Sequence, residues 1–185
     1  MRCALTAAFL VLTVAIASAQ QADFVETTPE PQNYAWWLRT EFHPFEAEVR
    51  GIPVGKIRPT WCKATEFRKE LFPPDLASDL EHSGGLAFSV DGFFESSKIK
   101  ETALVGVYES CQGERGTFLL VLAWPPGGQP ALRFVHEMPK EHQFAVLLLQ
   151  RDSTISVFHC MECDHVTEFK WSKSKRRFVR LPPRF

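Results

Sequence analysis

The chain has 185 residues, 45% of them hydrophobic and 23% charged, with a formal net charge of −1. That profile excludes a disordered or collagen-like chain, and the near-zero charge argues against a dedicated nucleic-acid binder. Sixteen Phe and five Trp against two Tyr predict an aromatic-rich core.

Residues 1–19 read as a secretory signal peptide. Arg2 supplies the positive start, residues 4–16 are apolar, and Ala17-Ser18-Ala19 is a small-x-small cleavage site. The apolar run is about 13 residues, short of the ~20 that cross a bilayer, so no membrane span is expected. Export implies an oxidising compartment, periplasmic or extracellular. Residues 20–33 contain Thr27-Thr28-Pro29-Glu30-Pro31 and no periodic pattern, and read as a flexible leader. A single β-rich domain is expected over 34–185.

That domain opens on Tyr34, Trp36, Trp37, Phe42 and Phe45. Adjacent tryptophans on a strand place one ring inward and one outward, so one of Trp36 and Trp37 is a candidate contact for a sugar or a protein. Ala64, Phe67 and Leu71 stand at helical spacing before Pro73-Pro74, which predicts one short helix near 63–72. After Gly85 the pattern becomes period two. Eight strands are expected at 86–90, 102–108, 117–124, 131–136, 144–150, 154–159, 166–171 and 177–181, separated by turn residues. Short links make neighbours antiparallel. The fold class is therefore mainly β, as two four-stranded meanders in a propeller-like or barrel/sandwich arrangement. Their apolar faces should bury Leu104, Leu120, Val146 and Phe158.

Phe88-Ser89-Val90-Asp91-Gly92, a loop, and Ala103-Leu104-Val105-Gly106-Val107-Tyr108 resemble an FG-GAP/VCBS-type β-propeller repeat. The resemblance covers about residues 86–124. Such repeats carry an acidic calcium loop and serve as adhesion or carbohydrate-binding scaffolds. Here only Asp91, Glu95 and Glu101 offer hard oxygens, with Lys98 and Lys100 among them. Calcium takes six to eight oxygens. The resemblance thus implies a β-repeat shape without the calcium site, and no cofactor is expected.

With Cys3 in the signal, four cysteines remain, and four thiols allow three pairings. The expected disulfides are Cys160–Cys163, closing a turn that Met161-Glu162 would not favour, and Cys62–Cys111, tying the aromatic segment to the first sheet. Two other chemistries centre on the same place. Cys160-x-x-Cys163 has dithiol spacing, but strand-like flanks lack the helix N-terminus that activates a redox thiol. His159, Cys160, Cys163, Asp164 and His165 are zinc-type ligands, yet adjacent strand residues point to opposite faces. Glu41, Glu46 and Glu48 read as a solvated edge rather than a glycosidase pair. No nucleophile elbow, zinc-protease motif or phosphate loop is present in the sequence.

Lys170, Lys173, Lys175, Arg176, Arg177, Arg180 and Arg184 crowd the last twenty residues against the single carboxylate Glu168. The rest of the exported chain is net acidic. Such a hairpin is either a charged edge that resists strand pairing or a docking surface for an acidic partner. The leading expectation is a secreted or periplasmic, non-catalytic protein-binding protein, such as an inhibitor of a cell-wall hydrolase or an immunity protein against a toxin. Its contact residues would be Lys175, Arg176, Arg177, Trp36 and Trp37. The alternatives are a zinc- or redox-active protein built on residues 159–165, and an envelope carbohydrate-binding module.

Overall fold

The computed structural model describes residues 24–27, 35–73, 77–78, 84–96, 98–138, 143–161 and 166–183. The signal-peptide segment 1–19 lies outside the described residues. Among the described residues the chain forms thirteen strands, all paired antiparallel. β1 is Val25–Thr27, β2 Thr40–Phe42, β3 Glu48–Val49 and β4 Ile52–Pro53, followed by a one-turn helix α1 at Val54–Ile57. β5 is Trp61–Glu66, β6 Ser89–Gly92, β7 Lys100–Ser110, β8 Arg115–Trp124 and β9 Ala131–Glu137. β10 is Val146–Leu149, β11 Ile155–Phe158, β12 Val166–Ser172 and β13 Arg177–Arg180.

All eight expected strands are present, as β6 to β13. They form two successive meanders, β6-β7-β8-β9 and β10-β11-β12-β13. The first gains a fifth member. β5 pairs with the 106–110 half of β7, and β6 pairs with the 101–104 half of the same edge. One bridge, Ala87 with Leu147, ties the second sheet to the entry of β6.

The helix expected near 63–72 is not there. Residues 61–66 are strand and Lys69–Leu71 is a single 3-10 turn. The three residues do not share a face. Ala64 and Phe67 stand an odd number of positions apart on extended backbone, so Ala64 faces one core while Phe67, and Leu71 after it, face the other.

β7 and β8 are buried on both faces, which explains their continuous apolar runs. Ala103, Val105, Val107, Leu119 and Val121 face the second sheet and an aromatic cluster. Leu104, Tyr108, Phe118, Leu120 and Leu122 face a cover made of Val49, Ile52, Val54, Ile57 and Trp61. So Leu104 and Leu120 are fully buried as expected, but beneath the β3–β4–α1 cover and not between the sheets. Val146 is fully buried and Phe158 half-buried. β5 can lie this close to β7 because position 106 is glycine. A Cβ there would stand 2.3 Å from the Thr65 carbonyl oxygen.

The aromatic cluster also corrects two expectations. Phe24, placed in the leader by sequence, is fully buried and meets Phe42, Phe45, Phe67 and Phe72 at centroid distances of 5.6 to 6.2 Å. β1, which follows it, pairs with β2. A three-residue strand is too short to show a period. Trp36 and Trp37 lie on a 3-10 turn, not a strand, and both rings are buried, at 1% and 8% exposure. Trp36 packs on Phe72 and Phe144. Neither tryptophan is a surface contact.

Candidate binding surface

Three carboxylates hold the start of the β6–β7 connection, at Phe94 and Glu95, and the strand ends that flank it. Glu101 is 1% exposed, and its Oε2 accepts the backbone N–H groups of Phe94 and Glu95, both at 2.8 Å. Burial pushes its carboxyl above the usual range. Glu95 receives a forked pair from Arg133 on β9: Nε donates to Oε1 at 2.7 Å and Nη2 to Oε2. Asp91 closes the base. Lys100 Nζ lies 2.6 Å from its Oδ2, and Thr102 Oγ1 donates to its Oδ1 at 2.6 Å. Lys100, then Thr102, hold the Asp91 carboxyl below its ordinary value. These are the three candidate calcium ligands of the sequence. Here each is engaged by donors of the protein itself.

The clamped loop alternates anchor and display. Phe94 is buried, its ring lying over Gly92 and 6.4 Å from Phe178 on β13. Phe93 and Ile99 point outward, at 53% and 40% exposure. Large apolar side chains this exposed are few among the described residues: the third is Leu38. Lys98 and Lys100 flank them, both exposed.

Phe178 also anchors the cationic hairpin. It is buried against Phe134 at 5.2 Å and Trp171 at 5.3 Å. The β12–β13 register sets Ser172 opposite Arg177, which leaves Lys173, Ser174, Lys175 and Arg176 as the turn. Ser172 Oγ accepts the Lys175 N–H at 3.3 Å. Lys173, Lys175, Arg176 and Arg177 are exposed, and among the described residues none of these four cations forms an ion pair. Arg176 sits at φ +50°, where glycine is less strained, so a charged side chain is displayed at a conformational cost. One buried phenylalanine thus packs on Phe94 of the β6–β7 connection and on Trp171 and Phe134.

The other candidates fare differently. Cys62 on β5 is disulfide-bonded to Cys111, the residue that follows β7. Cys160 is disulfide-bonded and is not an available thiolate; Cys163, Asp164 and His165 lie outside the described residues. A cleft of about 570 Å³ runs along Glu46, Glu48, Arg50, Glu66 and Arg68. Four of these five charges are matched: Arg50 forks onto the buried Glu66 at 2.6 Å twice, and Arg68 bonds Glu46 at 2.8 Å, while Glu48 is exposed. Glu41, away from that cleft, joins Glu26 and His43 in a group whose ligand atoms lie within 4.8 Å of one another. That group arises because Glu26 and Glu41 are cross-strand partners, which was invisible while β1 was read as leader. His43 lies 3.4 Å from Glu26, and Arg115 lies 3.9 Å from Glu41.

No helix among the described residues is long and apolar enough to cross a membrane. Comparison with protein-family models, curated proteins and solved structures finds no significant match to the chain.

Proposed function

We propose that this is an exported, non-catalytic protein-binding protein, of the inhibitor or immunity type, whose contact surface is the β12–β13 hairpin with its neighbouring loop. The observation that carries the reading is the tip of that hairpin: four exposed cations that form no ion pair among the described residues, on a hairpin anchored by the buried Phe178. Charged rims of this kind steer association with a surface of opposite sign. The partner is therefore a protein with an acidic surface, met in the periplasm or outside the cell. Disulfide bonding at Cys62–Cys111 suits that compartment.

The test is affinity capture from culture medium and envelope extracts at low salt. The native chain and a Lys175→Glu/Arg176→Glu/Arg177→Glu chain are run in parallel. A protein retained by the native chain and lost from the reversed one is the expected result. Identical retention by both, or none by either, contradicts the reading.

A further inference from the structure

We infer that Glu101 is a proton-operated latch: protonated, it closes on the backbone of Phe94 and Glu95, and ionised, it loosens the same contact. The inference does not depend on the protein-binding reading.

Three observations carry it. First, the two oxygens of this carboxyl have unequal surroundings. Oε2 accepts the backbone N–H groups of Phe94 and Glu95, both at 2.8 Å. Oε1 is buried, and among the described residues nothing donates to it. A buried polar atom without a partner costs free energy, and costs more when it is charged. A proton on Oε1 removes the charge and leaves Oε2 able to accept both N–H groups.

Second, no cation is set against the carboxyl. The charged groups that act on it are Glu95 on the connection and Arg133 on β9, and Arg133 forks onto Glu95. The residues opposite Glu101 are Gly92 on β6 and Ala123 on β8, neither of which ionises. Asp91 on β6 and Lys100 on β7 pair with each other. Burial therefore outweighs the two N–H groups and Arg133, and holds the carboxyl above its ordinary value of 4.5. Third, the latch holds part of the core. One of its two N–H groups belongs to Phe94, whose buried ring meets Phe178 of β13 at 6.4 Å.

The direction follows from linkage. A group whose value is higher in the folded chain than in the unfolded one adds stability at low pH, and that stability is lost as pH rises through the folded value. His136 is shifted the other way and acts in the opposite sense. A global unfolding midpoint sums the two, so the test has to be local.

The experiment follows the folded chain by NMR from about pH 7 to about pH 5, a range in which a raised glutamic acid titrates. The side-chain carboxyl carbon of Glu101 is assigned by its loss in Glu101→Gln. Amide exchange at Phe94 and Glu95 is measured in both proteins and corrected for the intrinsic pH dependence of exchange. The expected result is a Glu101 midpoint above 4.5 and, in the native chain, protection of both amides that rises about threefold or more on acidification. Glutamine keeps the acceptor and cannot ionise, so Glu101→Gln should show the high protection at every pH. A Glu101 midpoint at or below 4.5 overturns the inference. So does protection in the native chain that does not change with pH, or that changes equally in Glu101→Gln.

Discussion

Phe94→Ala tests the anchor on which the loop depends. The ring is 6% exposed, lies over Gly92, and meets Phe178 at 6.4 Å. Phenylalanine-to-alanine changes in cores cost about 3–5 kcal/mol. Phe94 sits at the rim of its cluster, where neighbours can close on the space, so the lower end, about 3 kcal/mol, is expected. Roughly 1 kcal/mol of that comes from the ring pair with Phe178. For a chain of this size the melting temperature should fall by about 6–12 °C. The assay is urea and thermal unfolding followed by circular dichroism, with the slope against urea checked for constancy. The neighbouring Phe93→Ala is the internal control. Its ring is 53% exposed, and the change should stay within about 0.5 kcal/mol. Equal effects at 93 and 94, or a cost below about 1 kcal/mol at 94, would refute the clamp.

Replacing Cys62 and Cys111 by serine removes a cross-link that spans 49 residues, worth about 4 kcal/mol by loop entropy, read as a lowered urea midpoint. Gly106→Ala sets a Cβ 2.3 Å from the Thr65 carbonyl oxygen and 2.8 Å from the Glu66 Cα, both backbone, so β5 must move. Loss of about 3 kcal/mol or more, or no folded product, is expected; an unchanged midpoint contradicts the packing described. His136 is held below its ordinary value of 6.5, first by burial and then by Arg180. The unfolded chain therefore takes up the proton first, and stability should fall as the pH drops below about 6.5. His136→Asn should flatten that slope, and an identical slope in both proteins would refute the assignment.

Strand content was legible because the chain from β6 to β13 alternates between short runs and clear turn chemistry. Both meanders and their order follow from that pattern. Three features were not legible, each for its own reason. Ala64, Phe67 and Leu71 match helical spacing although extended backbone sends Ala64 into one core and the other two into the second, which spacing alone does not reveal. Phe24 joins the core through a single side chain, which no periodicity can register. Trp36 and Trp37 were read on strand geometry, whereas a 3-10 turn buries both. At the surface, the cationic hairpin was visible as composition alone. The loop was noticed through its carboxylates, but their use could not be read. Glu101 turns inward to backbone N–H groups and Glu95 reaches Arg133, 38 residues further along the chain. Only the register of β6, β7 and β9 brings those groups together.

The most direct test of the central claim is the association rate with the captured partner, measured from low to high salt for the native chain and the Lys175→Glu/Arg176→Glu/Arg177→Glu chain. Exposed charges act on encounter and are screened within about 10 Å at 0.1 M salt. The account predicts that the reversal slows association at least tenfold at low salt and that the difference shrinks as salt rises. Equal association rates at low salt would show that the hairpin is a solvated edge and not the binding surface.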